Sequence, residues 1–186
     1  EVELPKQALH TERIAWARAL KYTADDRRIL VISHRWMDKL NPDPHGAQLH
    51  KIKEFLKRPE NREIELVWID YCCMPQAGPQ GERSIKDQVD FKFMLGNINV
   101  LFLSMRVLIL LDLSYVSRFW TQYECWLSMQ AYSADGLTPS PVDQRRVTIE
   151  PILNGNTILV ECLETMWAGK TPKQALKLLS KDDVEV

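Results

Sequence analysis

This sequence has no glycine-rich phosphate loop, no spaced cysteine–histidine ligand set, no membrane-length apolar run and no marked net charge. The seven glycines are scattered, so neither a P-loop nor a dinucleotide-binding fingerprint can be assembled from them. The four cysteines include the adjacent pair Cys72–Cys73, and the histidines are dispersed, so zinc is not expected and no metal is assigned. Nor do the cysteines form a disulfide framework; reduced, buried thiols fit a cytoplasmic location. The most apolar stretch, Val100–Leu113, is too short for a bilayer and contains Arg106. A formal charge of −1 gives no reason to expect nucleic acid or an anionic membrane as partner. The pairs Arg27–Arg28 and Arg145–Arg146 are isolated and read as solvated strand flanks.

What is present is ordinary in bulk and informative in order. At 186 residues, with 45 % hydrophobic and 26 % charged residues, the chain is long enough for one self-sufficient core. It begins at Glu1 without methionine and ends in the acidic KDDVEV, so a piece excised from something longer is expected. No secretory leader, internal repeat or low-complexity segment is recognisable.

Residues 4–20 have helical apolar spacing and are read, within residues 1–26, as an N-terminal helical extension. Strands are expected at Ile29–Ser33, Ile64–Asp70 and Val107–Asp112, the last apolar throughout, as in a strand covered on both faces. Between them lie a helix bearing Leu49, Ile52, Phe55 and Leu56, stopped by Pro59, and a long helix over Ser84–Ser104. Ser114–Ser117 is expected to cap a further helix running to about Tyr132. A strand at Arg146–Ile152 follows; Thr157–Leu163 fits a strand or the start of a helix. Thr171–Pro172 opens a final helix over Lys173–Ser180. The alternation predicts an α/β domain over residues 27–186: an open, mostly parallel, flavodoxin-like sheet with helices on both faces.

In such sheets ligands bind beyond the carboxyl ends of the strands, at the switch point. Three strands end in chemistry-capable residues: ISHRW (Ile32–Trp36), WIDYCCMPQ (Trp68–Gln76) and VLILLD (Val107–Asp112). After the third comes SYVSRFWTQYECW (Ser114–Trp126), where Trp120 and Glu124 lie one helical turn apart on a shared face. In that helix Phe119, Trp120, Tyr123, Trp126 and Leu127 form a broad apolar arc with Glu124 at its margin. Arg118, Thr121, Gln122 and Ser128 lie outside it.

These segments resemble the Toll/interleukin-receptor (TIR) superfamily and its fungal relatives, the heterokaryon-incompatibility (HET) domains. ISHRW is similar to the TIR opening strand. Tyr115, Ser117, Trp120 and Glu124 are similar to the TIR pattern of Tyr, Ser, Trp and a Glu four residues later. WIDYCCMPQ, then GER (Gly81–Arg83) and DQV (Asp87–Val89), looks like the HET pattern. The match covers about residues 27–130. The resemblance implies that Glu124 is the catalytic residue of an NAD+ glycohydrolase acting in immune or cell-death signalling, with homo-oligomers required for activity. NAD+ is then substrate, and no cofactor is expected.

Chemistry supports a role for one carboxylate. The nicotinamide–ribose bond breaks through an oxocarbenium-like state, and its leaving group departs neutral from a cation. Around Glu124, Arg35 suits a phosphate and Trp36 a ring, although an Arg held by a carboxylate and a Trp packed under its loop are equally open. Ser33 and His34 end the first strand with side chains on opposite faces, so adjacency does not make them a dyad. Asp70 suits ribose hydroxyls or a capping role; Tyr115 and Ser117 suit the substrate side, or in the case of Ser117 a helix cap. A cysteine nucleophile at Cys72 or Cys73, served by His34, has no other support. Two alternatives remain: a non-catalytic self-association module of the same fold, and a nucleoside N-glycosidase or deoxyribosyltransferase.

Overall fold

The computed structural model describes residues 9–11, 27–78, 81–181 and 184. The helix expected over residues 4–20, and the 1–26 extension containing it, lie almost wholly outside the described residues.

Four parallel strands form the sheet: β1 (Ile29–Ser33), β2 (Leu66–Trp68), β3 (Arg106–Leu111) and β6 (Val147–Pro151), in the order β2-β1-β3-β6. Counted within the sheet this is 2-1-3-4, the flavodoxin-like order, and the chain reverses direction across the sheet between β1 and β3. The expected α/β architecture is therefore present. A two-stranded antiparallel hairpin, β4 (Gln130–Ser133) and β5 (Gly136–Pro139), separates β3 from β6 in the chain.

The period-2 alternation of β1 and β3 divides the core into two layers. Leu30, Ile32, Leu108 and Leu110 face α1 (Ala47–Leu56) through Ile52 and Phe55. Val31, Val107, Ile109 and Leu111 face the other layer: α3 (Ile85–Ser104), α4 (Phe119–Ser128), α5 (Thr157–Trp167) and α6 (Pro172–Leu179). Phe102, Trp126, Leu163, Trp167 and Leu179 fill that second layer. Each such side chain, fully buried, contributes about 1.5–3 kcal/mol. Helices thus cover both faces, one of them far more heavily.

Several boundaries differ from expectation. The second strand is only Leu66–Trp68, and Asp70 opens a single helical turn, α2 (Asp70–Cys73), rather than ending the strand. The helix expected to reach Tyr132 stops at Ser128, and Gln130 starts β4. Ser114–Ser117 does not cap that helix. Tyr115–Ser117 makes its own 3-10 turn, and α4 starts after Arg118 without a side-chain cap. In α1 the buried stripe is Gln48, Ile52 and Phe55, while Leu49 is exposed. Thr157–Trp167 is helical, capped by Asn156, whose side chain accepts from the Leu159 N–H. Arg146 is buried rather than solvated, donating to the carbonyls of Met105 and Gln130. Among the described residues, no helix is long and apolar enough to cross a membrane.

Candidate active site

Strand parity decides which layer receives each residue at the end of β1. Ser33 continues the Ile29, Val31 side and reaches α4; His34 falls on the Leu30, Ile32 side and reaches α1. Ser33 is fully buried, and its Oγ lies 2.6 Å from Glu124 Oε2 and 2.6 Å from Tyr115 Oη. Tyr115 is also fully buried and donates its hydroxyl to the Thr121 carbonyl at 2.8 Å. The Thr121 hydroxyl returns the contact by donating to the Tyr115 carbonyl. Glu124 thereby stands over a polar chain rooted in the sheet, and remains partly exposed above it.

The surroundings disfavour charge on Glu124. Desolvation pushes its pKa up to about 8; the Ser33 hydrogen bond opposes this, and the nearby Asp70 charge adds a smaller push upward. Burial raises the Tyr115 phenol well above its ordinary value, so it stays protonated.

On the other side of β1, His34 is held at both ring nitrogens. Nδ1 faces Gln48 Oε1 at 2.5 Å and Nε2 faces Asp70 Oδ1 at 2.9 Å. Gln48 is oriented by donating its amide hydrogens to the carbonyls of Arg35 and Pro42. Asp70 also accepts from Trp36 Nε1, at 3.0 and 3.1 Å, and from the Tyr71 backbone N–H. Trp36 packs edge-on against Tyr71. Arg35 reaches Asp112 at 3.5 Å and the Trp36 carbonyl at 3.1 Å, while its Nε is sealed from solvent and lacks a partner. Asp112 in turn accepts from Ser114 and from the Tyr115 N–H, which fixes the start of the 3-10 turn.

No family model, curated protein or solved structure matches the chain. Its chemistry has to be read from these contacts.

The structure gathers Ser33, Arg35, Trp36, Asp70 and Glu124 around the ends of β1, β2 and β3. Ser33, Tyr115 and His34 are buried there, each hydrogen-bonded to neighbouring side chains. Ser117 donates to the Ser114 carbonyl and serves its own turn. Trp120 is half exposed, edge-on to Phe119, so it is a surface ring and not core. The apolar arc expected in α4 holds for Phe119, Tyr123, Trp126 and Leu127, which pack on the core, but Thr121, Gln122 and Ser128 are buried as well, the Thr121 and Ser128 hydroxyls donating to the carbonyls of Tyr115 and Cys125.

Gln48 and Asp112 also enter these contacts, Gln48 passed over in the sequence and Asp112 read there only as the end of the third strand. Gln48 had a signal: it lies one turn before Ile52 on the apolar stripe of α1, and a polar residue there needs a buried partner. Cys72 and Cys73 are only partly buried, and desolvation raises both thiols, the opposite of an activated nucleophile. Among the described residues no group of three or more His, Cys, Asp or Glu side chains is arranged to hold a metal. A cavity of about 770 Å³ opens at the other end of the strands, lined by Arg27, Glu63, Arg106, Asp143, Arg145 and Arg146 among others. None of the residues gathered around Glu124 lines it.

Proposed function

We propose that this chain is a TIR/HET-type NAD+ glycohydrolase, with Glu124 stabilising the ribosyl cation as nicotinamide departs. The observation that carries the reading is the Ser33–Glu124 contact of 2.6 Å, which brings a desolvated carboxyl to the switch point of a parallel sheet. The partly exposed guanidinium of Arg35 offers a seat for a pyrophosphate oxygen, and Asp70, with part of its carboxylate exposed, suits ribose hydroxyls. A raised pKa suits this chemistry. In this reading the carboxyl is neutral without substrate and ionises when a cationic pyridinium ribosyl group arrives. Nicotinamide leaves with both electrons of the C–N bond, water adds its oxygen to C1′, and the remaining proton passes to solvent.

One carboxylate about 4 Å from the developing cation, at an effective dielectric near 20, contributes about 4 kcal/mol, or roughly a thousandfold in rate. Glu124→Gln is therefore expected to cut nicotinamide release from NAD+ about a thousandfold while leaving the fold intact. Release at the wild-type rate by that variant sinks the proposal. By resemblance, the activity serves cytoplasmic immune or cell-death signalling and needs assembly into homo-oligomers, so the assay uses concentrated or clustered protein.

Exposed Ile85, Val89 and Phe93 recur every fourth residue along α3, and that stripe favours the self-association module as second reading. The same assay separates the two, since such a module releases no nicotinamide. Nucleosides supplied in place of NAD+ test the N-glycosidase alternative.

A further inference from the structure

Three oxygen–oxygen contacts form a series at the end of β1: Glu124 to Ser33 at 2.6 Å, Ser33 to Tyr115 at 2.6 Å, and Tyr115 to the Thr121 carbonyl at 2.8 Å. At these separations each contact needs a hydrogen between its oxygens, because facing lone pairs repel. The Thr121 carbonyl brings none; Ser33 and Tyr115 bring one each. The count is one short unless the Glu124 carboxyl supplies the third.

With a neutral carboxyl the chain fills in one direction. Glu124 donates to Ser33, Ser33 to Tyr115, and Tyr115 to Thr121. With a carboxylate, Ser33 must turn its hydrogen towards Glu124. Either the Ser33–Tyr115 contact or the Tyr115–Thr121 contact is then left without a hydrogen. Ser33 and Tyr115 have no solvent exposure, so nothing in bulk water relieves that repulsion.

We infer that Tyr115 is a positioning residue that keeps Glu124 neutral in the free protein, by accepting the Ser33 hydrogen and leaving the carboxyl as donor at the head of the chain. The catalytic meaning of this rests on the glycohydrolase reading. A carboxyl that ionises only when Ser33 turns over ties turnover to the arrival of positive charge. The charged and titratable groups around it act in the same or a lesser sense. Asp70, from α2, opposes ionisation of Glu124, and its Oδ1 lies 2.9 Å from His34 Nε2. Arg35 at the end of β1 is paired with Asp112 at the end of β3. Cys125, next along α4, is held protonated by burial, with Glu164 of α5 adding to the upward push.

The test is a carbon-13 titration of the Glu124 carboxyl in nucleotide-free protein, from about pH 5 to about pH 10, with the resonance identified by its loss in Glu124→Gln. The wild-type midpoint is expected above about 8, the value reached when the Ser33 hydrogen faces the carboxyl. Tyr115→Phe returns the Ser33 hydrogen to Glu124 and is expected to lower that midpoint by about one unit or more, a tenfold or larger change in the protonation equilibrium. A folded Tyr115→Phe variant titrating at the wild-type midpoint overturns the inference. Should that variant not fold, the infrared difference between wild type and Glu124→Gln at neutral pH decides. A protonated-carboxyl carbonyl band supports the neutral resting state, and its absence overturns it. Neither measurement uses NAD+, so a failed inference and a failed glycohydrolase reading remain distinguishable.

Discussion

Glu124 has a folded-state pKa of about 8 against an ordinary value of 4.5. Between those values the native protein holds a proton that the unfolded chain has released. Native stability therefore falls as pH rises through this window, and the fall ends near the folded value. Glu124→Gln removes the titration. The variant is expected to match or exceed wild type in unfolding free energy, by a margin that widens from about pH 5 to about pH 8 and reaches on the order of a few kcal/mol. Urea unfolding across that range measures it; a margin that stays flat with pH means the carboxyl is not desolvated. The substitution expected to slow nicotinamide release is thus also expected to stabilise the fold, because it removes a desolvated ionisable group. The same residue shows what a sequence can convey at this scale. The type and position of Glu124 were readable, but its partner was not, because Ser33 lies 91 residues away and meets it only through strand parity.

Element by element, legibility followed the strength of local signals. Strands β1 and β3 and helix α3 were readable from long apolar patterns and, for α3, from Ser84, whose hydroxyl accepts from the Asp87 N–H. The β4–β5 hairpin was not. Helix α4 ends without a glycine or proline stop, and the four-residue strand after it is too short to announce a period. The β-branched residues Thr157, Ile158 and Val160 left α5 ambiguous until the Asn156 cap decided for helix. One glycine carries a constraint visible only in three dimensions. A Cβ on Gly155 would lie 2.1 Å from the Leu111 carbonyl oxygen and 3.0 Å from that of Ile152, both main-chain atoms that no rotamer can move. The loop after β6 is laid against the end of β3 there, with Ile152 N–H donating to the Leu111 carbonyl and Leu113 N–H to Asn154 Oδ1. Gly155→Ala is expected to cost about 1–3 kcal/mol. Thermal unfolding checks it, and an unshifted transition means the loop can lift away freely. Because Asp112 follows directly on Leu111 and anchors Arg35, any lifting should also loosen the site.

For the molecule as a whole, the parallel sheet gives its two ends different characters. Ser33, Arg35, Asp70, Asp112 and Glu124 cluster where β1, β2 and β3 finish; Arg106, Arg145 and Arg146 line the cavity where β3 and β6 begin. Both ends present arginine with a sealed, unpartnered Nε, Arg35 at one and Arg145 at the other. Side-chain chemistry alone therefore does not choose between them as an anion site, whereas topology does, since ligands of such sheets bind beyond the strands' carboxyl ends. If NAD+ is held as proposed, Arg35→Ala removes a charge-assisted contact to a phosphate, about 1.5–3 kcal/mol, and is expected to raise KM about tenfold to a hundredfold with a smaller effect on kcat. Nicotinamide riboside, which lacks the phosphates, should not register the loss. Arg145→Ala, at the far end of the strands, is expected to leave both constants unchanged. Paired measurements of the two variants on the two substrates make the comparison internal. Should Arg145→Ala raise KM while Arg35→Ala does not, the dinucleotide sits at the wrong end of the sheet for Glu124 to act on it.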